Sequence, residues 1–155
     1  MKQHHYQIKV AWTGNLGTGT SHYTAYNRNH SIEATGKTPI LGSSDPSFRG
    51  DKTRYNPEEL LVSTLSSCHL LWYLHLCAEA SVVVVGYEDQ AEGIMTEHSN
   101  GGGQFAEVTL KPVVTVAHAS MIAQAHALHH RAHELCFIAN SVNFPVKIAS
   151  TVQVK

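Results

Sequence analysis

Cys68, Cys77 and Cys136 are the side chains of this 155-residue chain best suited to nucleophilic or redox chemistry. A thiolate attacks peroxides and disulfides and binds metal ions. Three is an odd count and the spacing is wide, which argues against a secreted disulfide framework and for thiols that start reduced. Cys68 lies in the small-polar patch "STLSSCH" of the segment "NPEELLVSTLSSCHLLW", residues 56–72. Packing residue, metal ligand and nucleophile are all open to it. A mid-helix thiol gains little from the helix dipole, so a reactive Cys68 needs an outside cation. Cys77 lies nine residues on, about 180° around a helix from Cys68, and reads as core packing. Cys136, in "HELCFIANSV", falls near the negative end of a second helix. That end disfavours a thiolate and suits a resolving rather than an attacking thiol.

The chain carries twelve histidines, five of them at positions 118, 126, 129, 130 and 133. His129, His133 and Cys136 recur at i, i+4 and i+7 on one helical face, and with Cys68 they would make a tetrahedral nitrogen and sulfur set for zinc. No CxxC or HExxH accompanies them. The alternative is that His126, His129, His130 and His133 are partly exposed surface or interface residues, and His69 and His75 polar edges of a buried helix. No cofactor is expected.

Eleven basic against twelve acidic side chains leave a formal charge of −1. No Lys/Arg block is present, so nucleic acid is not an expected partner. No uninterrupted apolar stretch reaches the roughly 18 to 20 residues that span a bilayer, and "MKQHHYQIKV" alternates instead of forming a signal-peptide core. A cytoplasmic protein without a membrane partner is the expectation.

The elements that position these residues follow from periodicity. Tyr6, Ile8, Val10 and Trp12 alternate as a strand ending at "TGNLGTGT"; further strands are predicted near "SHYTAYNR" and "HSIEAT". Residues 35–55 have no sustained period and read as a long loop. Asn56 caps a helix whose first turn holds Pro57, Glu58 and Glu59, which runs to about Ala80 and is apolar around most of its circumference. Two antiparallel strands follow in "SVVVVGYEDQAEGIM" and "QFAEVTLKPVVTVAH", then a helix over 119–139. Val146, Ile148, Val152 and Val154 lie on one face of a final strand. The order βββ-α-ββ-α-β predicts a single α+β domain over residues 1–155.

"NPEELL" with a helix cysteine ten residues after Glu58, a second helix cysteine in "CFIANSV" and the opening "AWTGNLG" resemble the OsmC/Ohr family of osmotically inducible and organic hydroperoxide resistance proteins over nearly the whole chain. The resemblance implies an OsmC-like fold of mostly antiparallel sheets on two long central helices, in an intertwined homodimer with active sites at the interface. It implies a thiol peroxidase: Cys68 attacks an organic hydroperoxide, becomes a sulfenic acid and is captured by Cys136 as a disulfide. Glu58 would orient an arginine that stabilises the thiolate, across the dimer, since about 15 Å of helix separate it from its own Cys68. "GNLG" lacks the arginine found there in Ohr-type members, which leaves Arg49 in "SFRGD", favoured, or Arg54 in "TRYNPEE". A second departure is Cys-Phe at 136–137, where many relatives have Cys-Pro, so that the helix could continue past Cys136. Phe48 and Trp72 would help form an apolar substrate pocket, and a dithiol, by resemblance lipoyl-linked, would be the reductant. A non-catalytic zinc- or ligand-binding protein and a redox sensor on the same fold are the alternatives.

Overall fold

A computed structural model describes residues 1–155. Its backbone contacts divide the chain into two compact units, Met1–Leu60 and Leu61–Lys155. In the first, β1 (Lys9–Trp12), β2 (His30–Glu33) and β3 (Ile40–Gly42) form an antiparallel sheet in that order, with Val10 opposite Ile32 and Ile32 opposite Ile40. The strand expected in "SHYTAYNR" does not form, and β3 lies instead inside the segment expected to be loop. The physical reason is side-chain competition for the backbone. Asn15 Oδ1 accepts from the Gly17 and Gly19 amides at 2.9 and 3.1 Å, in a turn where Gly17 has φ 113° and Gly19 φ 58°. Arg28 then donates to the carbonyls of Tyr23 and Tyr26, 2.7 Å each, with its guanidinium over both tyrosine rings.

Helix α1 (Pro57–Glu79) begins with a reciprocal cap. Asn56 Oδ1 accepts from the Glu59 amide at 2.7 Å and Glu59 Oε2 accepts from the Asn56 amide at 3.0 Å, satisfying two donors that a helix start leaves unpaired. Long and apolar enough by length and composition alone to cross a bilayer, α1 shares those properties with core helices. Yet it is not buried on several sides: Leu65, His69, Tyr73 and Cys77, at four-residue intervals, are its buried residues, while Leu71 is 67% exposed.

The second unit builds two three-stranded sheets, β4 (Val84–Asp89), β7 (Pro112–Val116) and β9 (Thr151–Val154), and β5 (Glu92–Glu97), β6 (Gly103–Leu110) and β8 (Val146–Ile148). Each run expected as one strand is therefore two. The breaks come at matching places: Asp89 Oδ1 accepts from the Lys111 amide at 2.7 Å, and the Ala149 amide donates to the Leu110 carbonyl at 2.8 Å. The hairpin pairs are antiparallel, and β8 and β9 add in parallel. One core cluster gathers Tyr73, Cys77, Val114, Val116, Ala125 and Ala132; a second gathers Leu65, Val108 and Leu110.

A 3-10 turn, Ala119–Met121, leads into α2 (Ile122–Leu135), which stops four residues before the expected end. Cys136 leaves the helix with φ −67° and ψ 107° and does not continue it. Asn140 Nδ2 donates to the Glu134 carbonyl at 2.9 Å, supplying the bond that another helical amide would have made.

Candidate active site

The antiparallel contact of α1 with α2 is a set of side-chain rungs. Cys68 and Cys136 are neighbours, near enough for Cys68 to shift the Cys136 thiol. At the next residue of α1, and about two turns back along the chain from Cys136, His69 Nε2 and His129 Nδ1 are 2.9 Å apart, and one turn further along α1 Tyr73 Oη donates to the Ala125 carbonyl at 3.0 Å. The four-residue spacing Leu65, His69, Tyr73, Cys77 aligns one side of α1 with Ala125, His129 and Ala132 of α2, because i and i+4 share a helical face.

The two thiols at the first rung are not equivalent. Cys136 is 1% exposed. Burial first, then its bond to Cys68, pushes the Cys136 thiol up to about 11, so at neutral pH it holds its proton. The Ala139 amide also points at its sulfur, 3.5 Å away. Cys68 is half-buried and opens into a cavity of about 420 Å³ lined by Leu71, Trp72, His75 and Phe137. Trp72 stands perpendicular to Phe137 at 5.6 Å between ring centres and edge-on to His75 at 5.8 Å. The arrangement can expose one sulfur to an apolar molecule while a second, protonated sulfur waits against it. Cys77 is 1% exposed in the core, as its packing assignment requires.

The histidine rung is a finding that the sequence did not supply. His69 and His129 are 1% and 3% exposed, neither a polar edge nor a surface group. Burial, followed by the nearby His133, lowers His69 to about 4; burial, followed by His69 and His126, lowers His129 to about 3. Both rings are held neutral, and His129 stacks on Tyr73 at 4.0 Å. The four residues of the zinc set thus divide into a thiol pair and a histidine pairing that uses His69 instead of His133. No three His, Cys, Asp or Glu side chains gather as a group able to hold a metal. The signal that could have found His69 was its place in the buried four-residue stripe.

Of the small-polar patch, Ser66 Oγ donates to Asp89 Oδ2 at 2.5 Å and Ser67 Oγ to the Thr64 carbonyl at 3.2 Å. The remaining expected residues lie in the first unit. Glu58 is half-buried in the first turn of α1. Arg49 is exposed with a left-handed backbone, φ 65°, after the 3-10 turn Pro46–Phe48, whose Phe48 is 42% exposed. Arg54 Nε is 3.5 Å from Asp51 Oδ2. Arg28, passed over in the sequence, has its guanidinium engaged by two carbonyls and two rings.

A half-buried and a buried thiol side by side where α1 packs against the C-terminal end of α2, within an α+β fold of three-stranded sheets, define the class of protein to which this chain is compared. The sequence model of the OsmC-like protein family matches residues 50–151, and the chain belongs to that family. An OsmC-like protein of unknown function from Vibrio cholerae has a solved structure with a TM-score of 0.86 and 32% identity, over 96% of this chain and 100% of that one. An organic hydroperoxide resistance protein from Elizabethkingia anophelis gives a TM-score of 0.68 at 20% identity, over 99% of this chain and 100% of that one. One from Legionella pneumophila gives 0.66 at 19% identity, over 99% of each chain. No curated protein matches in sequence.

Proposed function

We propose that this chain is a thiol-dependent peroxidase that reduces organic hydroperoxides to alcohols. The observation that carries the reading is the contact between a cavity-facing Cys68 and a buried, protonated Cys136. Membership of the OsmC-like family, and structural neighbours named for organic hydroperoxide resistance, support it. The Cys68 thiolate attacks the distal oxygen of ROOH; the O–O bond breaks, the alkoxide takes a proton to become ROH, and Cys68 becomes a sulfenic acid. The Cys136 sulfur then attacks the Cys68 sulfur. An S–S bond forms, and the hydroxyl leaves as water with the Cys136 proton. A dithiol, lipoyl-linked by family resemblance, returns two electrons and two protons to restore both thiols.

In this reading a second copy of the chain completes each site, with its Glu58 orienting Arg49, or Arg54 as the alternative, to hold the Cys68 thiolate and the leaving oxygen. The α1 helix is continuous, and its 1.5 Å rise per residue keeps Glu58 from its own Cys68. The test is hydroperoxide consumption with a dithiol by wild type and Cys68→Ser. Loss of turnover in the variant is expected, and equal rates remove Cys68 from the mechanism. Mass spectrometry after one equivalent of hydroperoxide is expected to find a Cys68–Cys136 disulfide. Oxidation of Cys68 without that disulfide would favour a redox sensor, and retained stoichiometric zinc a metal-binding protein.

A further inference from the structure

Phe137 occupies an unusual position for a large apolar side chain. It is 66% exposed, yet it directly follows Cys136, which is 1% exposed. Its backbone is held: Ser141 Oγ donates to the Phe137 carbonyl at 2.7 Å, and the Asn140 amide donates to the Cys136 carbonyl at 3.0 Å. The freedom at this position therefore belongs to the ring, whose aromatic contact is the perpendicular one with Trp72. Trp72 lies four residues after Cys68 on α1, so its ring and the thiol share a helical face. The cavity between them is walled by Trp72, Phe137, His75 and Leu71.

A molecule that brings an oxygen to Cys68 with its organic part in this cavity packs against Trp72 and Phe137, two of its walls. An aryl group there adds edge-to-face or offset contacts with these two rings, a quadrupole match beyond the area that it buries. A compact alkyl group offers only area. We propose that Phe137 is a specificity-determining residue, an aromatic wall of the Cys68 cavity that makes the protein favour hydroperoxides bearing an aryl group next to the peroxide over compact alkyl ones. The inference rests on the peroxidase reading for its kinetic consequence but not for its binding consequence.

The test therefore has two arms. In the first, Trp12→Phe leaves Trp72 as the only tryptophan, and its fluorescence follows titration with two product alcohols, 2-phenyl-2-propanol and tert-butanol, which undergo no chemistry. The aryl alcohol is expected to bind more tightly, with that advantage falling about five- to tenfold in Phe137→Ala and recovering in Phe137→Tyr, the range of one lost aromatic pair. In the second, kcat/KM for cumene hydroperoxide and tert-butyl hydroperoxide is measured without the Trp12 change. Phe137→Ala is expected to shrink the ratio by the same factor, and Phe137→Leu not to restore it. An unchanged preference in Phe137→Ala, or an equal loss for both compounds, overturns the proposal. Absence of turnover in wild type would refute the peroxidase reading while the alcohol titration still decides the role of Phe137.

Discussion

Cys68 and Cys136 are the same chemical group in different surroundings, and the surroundings assign the roles. Burial keeps the Cys136 proton in place, so Cys136 is a poor first nucleophile, yet it already touches the sulfur that it has to capture. The predicted consequence of Cys136→Ser is a protein that consumes one equivalent of hydroperoxide per chain and halts, its Cys68 held as a sulfenic acid that a dimedone-type reagent labels. Continued turnover at the wild-type rate would show that another thiol resolves. Cys77 is the control. It lies in the core, and Cys77→Ala should leave hydroperoxide turnover intact while costing about 1 to 2 kcal/mol of stability in a urea titration.

The element that couples these groups is the seam between α1 and α2. His69 and His129 have folded values of about 4 and about 3 against an ordinary 6.5. Between those values and 6.5 the unfolded chain binds more protons than the folded one, so stability is fully present above about pH 6.5 and is lost as the pH falls toward 3. The expected loss between pH 7 and 4 is on the order of a few kcal/mol, less than the sum of two independent groups because His69 accounts for part of the His129 shift. Urea midpoints across that range measure it. Replacing both residues by leucine should flatten the profile, and a profile as steep as wild type would show that the slope originates elsewhere. At the other end of α1, Asn56→Ala removes half of the reciprocal cap with Glu59. A loss of about 1 kcal/mol is expected from thermal unfolding.

At the scale of the whole molecule, apolar area remains uncovered in the single chain. Val10 and Ile40, 60% and 42% exposed, lie in one cross-strand row with Ile32 between them. A sheet face of this kind usually marks an association surface. A dimer in sedimentation velocity is expected for wild type, and Val10→Asp with Ile40→Asp should shift it toward monomer. If a second copy supplies Glu58, hydroperoxide turnover should fall in parallel. A monomeric variant with full activity would confine the working site to one chain.

The residues 56–79 show how much was legible in the sequence. Asn56, Pro57, Glu58 and Glu59 wrote the start of α1, and its length and composition wrote the rest, because caps and propensity act over a few residues. The order of the elements predicted the α+β class, and the family resemblance supplied the OsmC-like fold and the pairing of the two thiols. The segments that failed did so where a side chain bonded to the backbone, near in sequence or far, outweighed the periodic pattern. Arg28 bonds the carbonyls of Tyr23 and Tyr26, Asp89 accepts from the Lys111 amide where two predicted strands become four, and Asn140 bonds the Glu134 carbonyl where α2 ends. The buried histidine pair, the Phe137 wall and the contact between Cys68 and Cys136 required the tertiary structure. Each joins side chains some sixty residues apart, and only the packing of α1 on α2 sets a distance between them. Sequence by itself determined which groups could react; the seam between the helices decided which of them meet.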